Sequence, residues 1–235
     1  MTTHYNPHLS VDCVLIGFNG EELKILLVQR NESDASGEFN DMKLPGRLIY
    51  EKEELDDAAY SVLQELTGIQ QPYLRQFKTF GSVSRTADPK DVRWLENAVK
   101  LKIGRLVTVA YMSLIRITSK LNTISAEYSA GWQSLKDLPQ LAFDHNQIIQ
   151  EAKQEIQRSA QIDPTILFEL LPSRFTALQL RRLYEEVYDK PLDVRNFHKK
   201  IMTLPYIVPL NEYEKAVAHR AARYYKFDKK RILKV

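Results

Sequence analysis

Apolar positions along the chain change their period several times, and each change marks an element. Residues 10–18 (SVDCVLIGF) and 23–30 (LKILLVQR) are branched apolar runs separated by NGEE, which predicts a β hairpin. Asn19-Gly20 is the strongest short turn signal and predicts positive φ at both central positions. A polar loop is expected over 31–41. The period then turns helical: Leu55, Ala58, Ala59, Val62, Leu63 and Leu66 mark one face, and Gly68 ends the helix as its C-terminal cap. Strand-like runs follow at 73–80, 106–117 and 126–135, with the polar connection SVSRTADPKDVRWLEN between the first two, and a helix is expected from 146 to about 158.

A fresh start comes at Asp163-Pro164, an N-cap with proline in the first helical turn, leading into TILFELL. Next, Thr176 and Gln179 form a capping box, and Leu180, Leu183, Tyr184 and Val187 recur at helical spacing. After Lys190-Pro191, Asp193 can cap a second helix, VRNFHKKIMT, with Val194, Phe197 and Ile201 inward and Arg195, His198, Lys199 and Lys200 outside. Two β-like stretches, 206–210 and 222–227, complete a helix-turn-helix with a hairpin beside it. The expected fold is α+β in two domains, an α/β/α sandwich over 1–160 and a winged helix-turn-helix over 161–235.

Composition changes this picture at one point. The net charge of +3 hides an asymmetry: residues 172–235 hold 15 Lys+Arg against 7 Asp+Glu, or +8, which leaves −5 for residues 1–171. A basic C-terminal module suits a polyanionic partner. The single cysteine, Cys13, sits in an apolar run and reads as a buried core thiol, which excludes an internal disulfide and a thiolate zinc cluster. MTTHYNPHLS lacks the layout of a signal peptide, and no apolar run approaches the roughly 18 residues that span a bilayer, so a cytoplasmic protein without membrane partners is expected.

The segment from Leu44 to Ile69 resembles the Nudix box, in register from Leu44-Pro45-Gly46 at its start to Gly68-Ile69 at its end. Arg47 stands at the box glycine, Glu53 matches the box glutamate, and Ser61 stands at the arginine. Active members carry three glutamates at i, i+3 and i+4, one helix face of carboxylates that holds Mg²⁺ against a diphosphate. Here those positions are Val62, Glu65 and Leu66. With two of three ligands apolar, no catalytic residue, metal ligand or cofactor is expected, and the chain is expected not to be an enzyme.

As a whole the chain resembles the Nudix-related transcriptional regulators, the NrtR-like group with its AraR-type sugar-responsive members. The likeness is most specific in FELLPSRFTALQLRRLYEEVYDKPLDVRNFHKKI and HRAARYYKFDKK. The resemblance implies a homodimeric repressor that binds palindromic operator DNA and is released by a small effector, either an ADP-ribose-like nucleotide or a sugar such as L-arabinose, in the old substrate cleft. The DNA-binding residues are then Arg195, Asn196, His198, Lys199 and Lys200 on the recognition helix, residue types that pair with base edges and phosphates, with Arg220, Arg223 and Lys226 at the wing. Tyr224 and Tyr225 fall on opposite faces of a strand, so one of them belongs to the core. The effector is expected where the box loop faces the sheet, near Gln29, Lys43, Arg47 and Phe80. Because Arg47 in place of glycine would crowd a diphosphate, a sugar is the expected effector, with a Nudix hydrolase or an ADP-ribose-responsive regulator as the alternative. A constitutive architectural DNA-binding protein is the third reading. His145 beside Asp144 reads as capping and packing rather than as a catalytic pair.

Overall fold

The computed structural model describes residues 4–34, 37–70, 72–215 and 221–234. The expected hairpin is formed by β1 (Tyr5–Phe18) and β2 (Leu23–Asp34), antiparallel with Ile16 opposite Ile25. Its turn corrects the expectation in one respect: Gly20 alone takes positive φ, at 101°. The Asn19 side chain accepts hydrogen bonds from the Glu21 and Glu22 amides at 2.9 Å each, and this side-chain turn replaces a two-residue turn. The polar segment from 31 is also no loop. β2 continues to Asp34 and pairs with β3 (Gly37–Lys43) from Val28 opposite Lys43 to Asp34 opposite Gly37. A strand at the edge of a sheet needs only one partner and tolerates polar residues on both faces, so no alternation betrays it.

After β4 (Gly46–Tyr50), helix α1 (Leu55–Thr67) buries Ala58, Ala59, Val62 and Leu63, and Gly68 caps it in the left-handed conformation, donating to the Gln64 carbonyl. β5 (Arg75–Phe80) and β6 (Val107–Arg116) are joined by a short 3₁₀ turn and a helix, α2 (Pro89–Val99), where the sequence suggested only a polar connection. Asp88 caps α2 through the Lys90 amide and Pro89 occupies its first turn, a start signal hidden among polar residues. The run at 126–135 divides into the end of α3 (Ser119–Glu127) and a shorter strand, β7 (Ala130–Ser134).

β1 lies at the centre of the seven-stranded sheet, parallel to β6 and antiparallel to β2 and β4. Its two faces read directly from alternation. Val11, Cys13 and Leu15 pack with α1, whereas Val14, Ile16 and Phe18 pack with α4 (His145–Ile162). Each face therefore buries its own helix, and the layers are α/β/α. Cys13 is fully buried, and burial pushes its thiol well above the usual range.

The C-terminal module begins with a 3₁₀ segment, Pro164–Leu170, capped by Asp163 through the Thr165 amide. The short strand β8 (Phe175–Thr176) leads into α5 (Ala177–Tyr188), whose capping box at Thr176 and Gln179 is present in both directions. Asp189 in the left-handed conformation ends α5, and Asp193 caps α6 (Val194–Thr203) through the Asn196 amide. Phe197 and Ile201 are buried as expected, but Val194 is 60% exposed. It occupies the first helical position, ahead of the point where α6 meets α5 at the Phe197–Tyr184 ring contact. β9 (Ile207–Tyr213) and β10 (Arg223–Phe227) form the wing hairpin, with β8 on the outer side of β10. Tyr225 is buried and Tyr224 is not, in keeping with alternation.

The two modules share one core. Ile148, Ile149, Ala152, Ile156 and Ala160 of α4 belong to the same buried cluster as Leu167, Phe175, Leu180 and Leu183. Among the described residues no helix is long and apolar enough to cross a membrane.

Candidate functional site

The box loop, β1, α2 and the start of α4 converge on a small cleft. Ser10, Asp12, Lys43, Gly46, Arg47, Leu48, Arg85, Trp94, Leu95, Leu106, Phe143 and His145 line it, around a cavity of about 30 Å³. That is room for one or two water molecules.

Asp12 is the charged residue in the apolar run of β1, and its position is fixed from three sides. The Arg85 guanidinium donates to it at 2.6 Å, His145 Nε2 lies 3.5 Å away, and Gly46 sits so close that an added Cβ would fall 2.0 Å from Asp12 Oδ1. Glycine is therefore required at 46 for a close approach. Burial acts to raise the Asp12 carboxyl, but the neighbouring His145 and Arg85 outweigh it and hold the group well below the usual range. Arg85 also pairs with Asp144 on its other side. His145 does not cap α4; its Nδ1 accepts a hydrogen bond from the Leu44 amide at 3.1 Å, which ties α4 to the box loop.

A second buried network lies beside the first. Arg30 donates to both carboxylate oxygens of Asp41 and, at 2.6 Å, to Asp91 of α2. Asp91 also accepts from the Phe143 amide at 2.6 Å. Lys43 donates to the carbonyls of Leu44 and Gly46, at 3.2 and 2.8 Å, and lies 5.7 Å from the centre of the Trp94 ring, over which Arg30 also sits at 5.2 Å. Burial pushes the Lys43 ammonium down to about 8. The inner surface of the cleft is rich in donors. Among the described residues, the buried side-chain nitrogens without a hydrogen-bond partner are Arg47 Nε, Arg85 Nε, Trp94 Nε1 and Trp132 Nε1. The first three of those residues line this cleft.

Of the four residues expected at the effector site, the structure brings Lys43 and Arg47 together in the cleft. Gln29 and Phe80 are not among its lining residues. Gln29 is exposed on β2 opposite Met42, and Phe80 is buried in the core on the α4 side, in edge contact with Phe77. Arg47 does not crowd the cleft as a free side chain would. It forms a bidentate pair with Glu53 at 2.7 and 2.8 Å, stacks over Tyr50 at 4.6 Å, and approaches Glu65 at 3.6 Å. Glu53 thus has a structural partner, and Arg47 holds its carboxyl below the usual range. The donor set does not fit a Mg²⁺ cluster. Val62 is fully buried in the core, Leu66 packs against it, and the lone Glu65 faces Arg47.

Sequence reasoning missed Asp12, Arg30, Arg85, Asp91 and Trp94. Asp12 did carry a signal, as the one charge inside seven apolar neighbours. Arg85, Asp91 and Trp94 carried none, because they lie in the stretch that read as a polar connection.

The second site is the outer face of the winged helix. Arg195, Asn196, His198, Lys199 and Lys200 are all exposed on α6, and their side chains have no hydrogen-bond or ion-pair partner among the described residues. Lys226 is likewise exposed on β10. Arg223 differs, since its guanidinium bonds the Leu210 carbonyl at 2.6 Å and Asn211 at 3.1 Å and so braces the wing. Arg220 lies outside the described residues. Cations left without partners on a helix that follows a tight turn form an electrostatic footprint for a polyanion.

A Nudix-type α/β/α sandwich joined to a winged helix-turn-helix is the class these features define, and comparison with known proteins narrows it. The sequence model of the NrtR DNA-binding winged helix domain matches residues 167–227. An ADPR-responsive transcriptional repressor, NtrR, from Acinetobacter baylyi is 26% identical over 226 residues, covering 94% of this chain and 82% of the relative. NrtR from Shewanella oneidensis in complex with a 27mer DNA superposes with a TM-score of 0.68 at 27% identity, covering 94% of this chain and 93% of that one. A MutT/nudix family protein from Enterococcus faecalis, at 21% identity and a TM-score of 0.62, shares the fold. Its C-terminal module matches the NrtR DNA-binding winged helix family, and the comparisons support grouping the whole chain with the NrtR-like, Nudix-associated winged-helix transcriptional regulators. None of these relatives is described as responding to a free sugar, so the expected arabinose-type effector is without support.

Proposed function

We propose that this chain is a transcriptional repressor that binds palindromic operator DNA as a two-fold dimer through α6 and the wing, and that ADP-ribose bound in the Nudix-type cleft releases it. The observation that carries the effector is the donor-rich lining of the cleft. Lys43, Arg47 and Arg85 line it with one carboxylate, Asp12, and one nitrogen each of Arg47, Arg85 and Trp94 is buried without a hydrogen-bond partner, although Arg47 and Arg85 also pair with Glu53 and Asp144 behind the lining. A diphosphate supplies several charged acceptors to such a donor set, whereas a neutral sugar supplies none. The Acinetobacter relative, named for its response to ADP-ribose, points the same way. Hydrolysis is not part of this reading, because the helix that would hold the metal offers Glu65 and no second carboxylate at the box positions. The dimer follows from recognition: one helix-turn-helix reads too few base pairs to single out an operator, so two copies share a palindrome.

The test is a thermal-unfolding series with ADP-ribose and L-arabinose, followed by titration of a duplex selected from a random pool. A ligand at about 100 times its Kd stabilises by about 2.7 kcal/mol, which for a chain of this size raises Tm by roughly 5–10 °C. That rise is expected with ADP-ribose, together with weaker duplex binding at fixed salt. A shift with arabinose alone, or duplex binding indifferent to saturating ADP-ribose, overturns the proposal. Mg²⁺-dependent turnover of ADP-ribose that is lost in Glu65→Gln would overturn the non-enzymatic part.

A further inference from the structure

A cavity of about 30 Å³ is roughly a tenth of the smallest ordinary small-molecule pocket. A nucleoside diphosphate sugar therefore cannot enter the cleft in this conformation, and one of the elements that close it is α2, which contributes Trp94 and Leu95 to the lining and Asp91 to the network beside it. Its inner face presents one carboxylate and one aromatic ring. Asp91 takes the Arg30 guanidinium, and Trp94 lies over Arg30 and Lys43. The phosphates and base of a nucleotide would offer the same two kinds of group to the same cations.

The attachment of α2 is local. Its apolar anchor is a small cluster of four buried side chains, Leu48, Leu95, Ile103 and Leu106, separate from the two large cores on either face of the sheet. The indole nitrogen of Trp94 is buried without a partner, so α2 is an imperfect occupant. Asp91 also holds the Phe143 amide, and Phe143 has a φ of 53°, costly for a bulky residue and placed two residues before α4 begins. Removing Asp91 thus frees both the cleft and the lead-in to α4.

We infer that α2 is an internal occupant of the effector cleft, and that a diphosphate effector binds by displacing Asp91 and Trp94 from Arg30 and Lys43. The inference rests on the ADP-ribose reading above. Displacement conserves charge at Arg30, since a phosphate replaces a carboxylate. It also makes the observed affinity the intrinsic one reduced by the fraction of molecules in which α2 is withdrawn.

Calorimetric titration of ADP-ribose into the full chain and its Asp91→Asn and Leu95→Ala variants, with hydrogen exchange over residues 89–99, tests it. Leu95→Ala is the discriminating variant, because it loosens α2 without altering any charge near an anionic ligand. It is expected to bind ADP-ribose at least about fivefold more tightly, the lower edge of ordinary coupling between states. In the unsubstituted chain, ADP-ribose is expected to speed exchange of the α2 amides. Equal or weaker binding by Leu95→Ala, with α2 amides protected by ligand, makes α2 a fixed wall and overturns the inference while ADP-ribose binding stands. Should Leu95→Ala fail to fold, the exchange experiment on the unsubstituted chain decides alone. If none of the three proteins binds ADP-ribose, the effector assignment and the displacement fail together.

Discussion

Replacing Arg85 by methionine removes the guanidinium that pairs with the buried Asp12 and the half-buried Asp144, while keeping most of its volume. Breaking a buried pair by deleting one partner typically costs about 3–5 kcal/mol, because the charge left behind is uncompensated. At pH 8 the variant should lose that amount in urea unfolding, and roughly 10 °C in Tm. The loss should depend on pH in a definite direction. In the native protein the Asp12 carboxyl is held low, so its contribution is present above the unfolded carboxylate pKa of about 4 and is lost only as pH falls below it. Without Arg85 one of the charges that oppose burial is gone, so the folded pKa moves up and this contribution shrinks. Below the unfolded pKa the carboxyl is protonated in the unfolded chain and the contribution fades from the native protein as well. The difference between the two proteins should therefore shrink as pH falls from 8 to 3. A difference below about 1 kcal/mol, or one that does not change over that range, would refute the assignment of Arg85 as the counter-ion that fixes the cleft.

The double substitution Arg195→Ala, Lys199→Ala should abolish preference for the selected duplex while changing unfolding stability by no more than about 0.5 kcal/mol, since both side chains are exposed and unpartnered; specific binding unchanged in an electrophoretic titration would move the DNA surface elsewhere. Lys43 is a cation only below about 8 in the free protein, so ADP-ribose affinity should fall as pH rises from 7 to 9, by at most tenfold per pH unit, and Lys43→Gln should flatten the profile. A profile of the same steepness in Lys43→Gln assigns the titration to another group. Thr176→Ala removes the capping box of α5 and should cost about 1 kcal/mol by chemical denaturation, and no loss of stability there would mean that the box is redundant with the β8 pairing of the same residue.

The elements that were legible in the sequence are those in which one local rule acts alone. The alternation of β1, the helical spacing of α1 closed by Gly68, and the capping box of α5 each follow from residues within a few positions of one another. The cleft follows from residues far apart. Arg85 is an unremarkable charge in a polar stretch until the fold sets it against Asp12 in β1 and Asp144 before α4, and Asp91 looks like a first-turn helix charge until Arg30 reaches it. A buried ion pair has no period and no composition. The expected sugar illustrates the consequence. Arg47 stands where the box resemblance has a glycine, but its reach into the cleft depends on Glu53 and Tyr50, which draw the guanidinium aside.

On the proposed reading, α4 is the element that would carry a change in the cleft to the DNA-binding face. Its first residues belong to the cleft, through Asp144 on Arg85 and His145 on the box loop. About 27 Å separates the ends of this 18-residue helix, and its later turns hold α5: Lys153 pairs with both oxygens of Asp189 at 2.6 and 2.8 Å, and Gln157 donates to the Val187 carbonyl at 2.7 Å. The β1–β2 hairpin adds a second attachment, with Arg182 on Glu21 and the Leu23 amide on Glu186. Together these attachments grip α5 from its middle, at Arg182, to its C-terminal end, from which a tight turn leads directly into α6. A helix is stiff and the shared core is closely packed, so a shift at the start of α4 would be carried to α5 as a rigid-body displacement. In a two-fold dimer such a displacement acts twice with opposite sense and alters the spacing of the two recognition helices, which must match successive major grooves. Release of DNA by an effector then requires only that the effector prefer one of two α4 positions. By reciprocity operator DNA must weaken effector binding by the same factor.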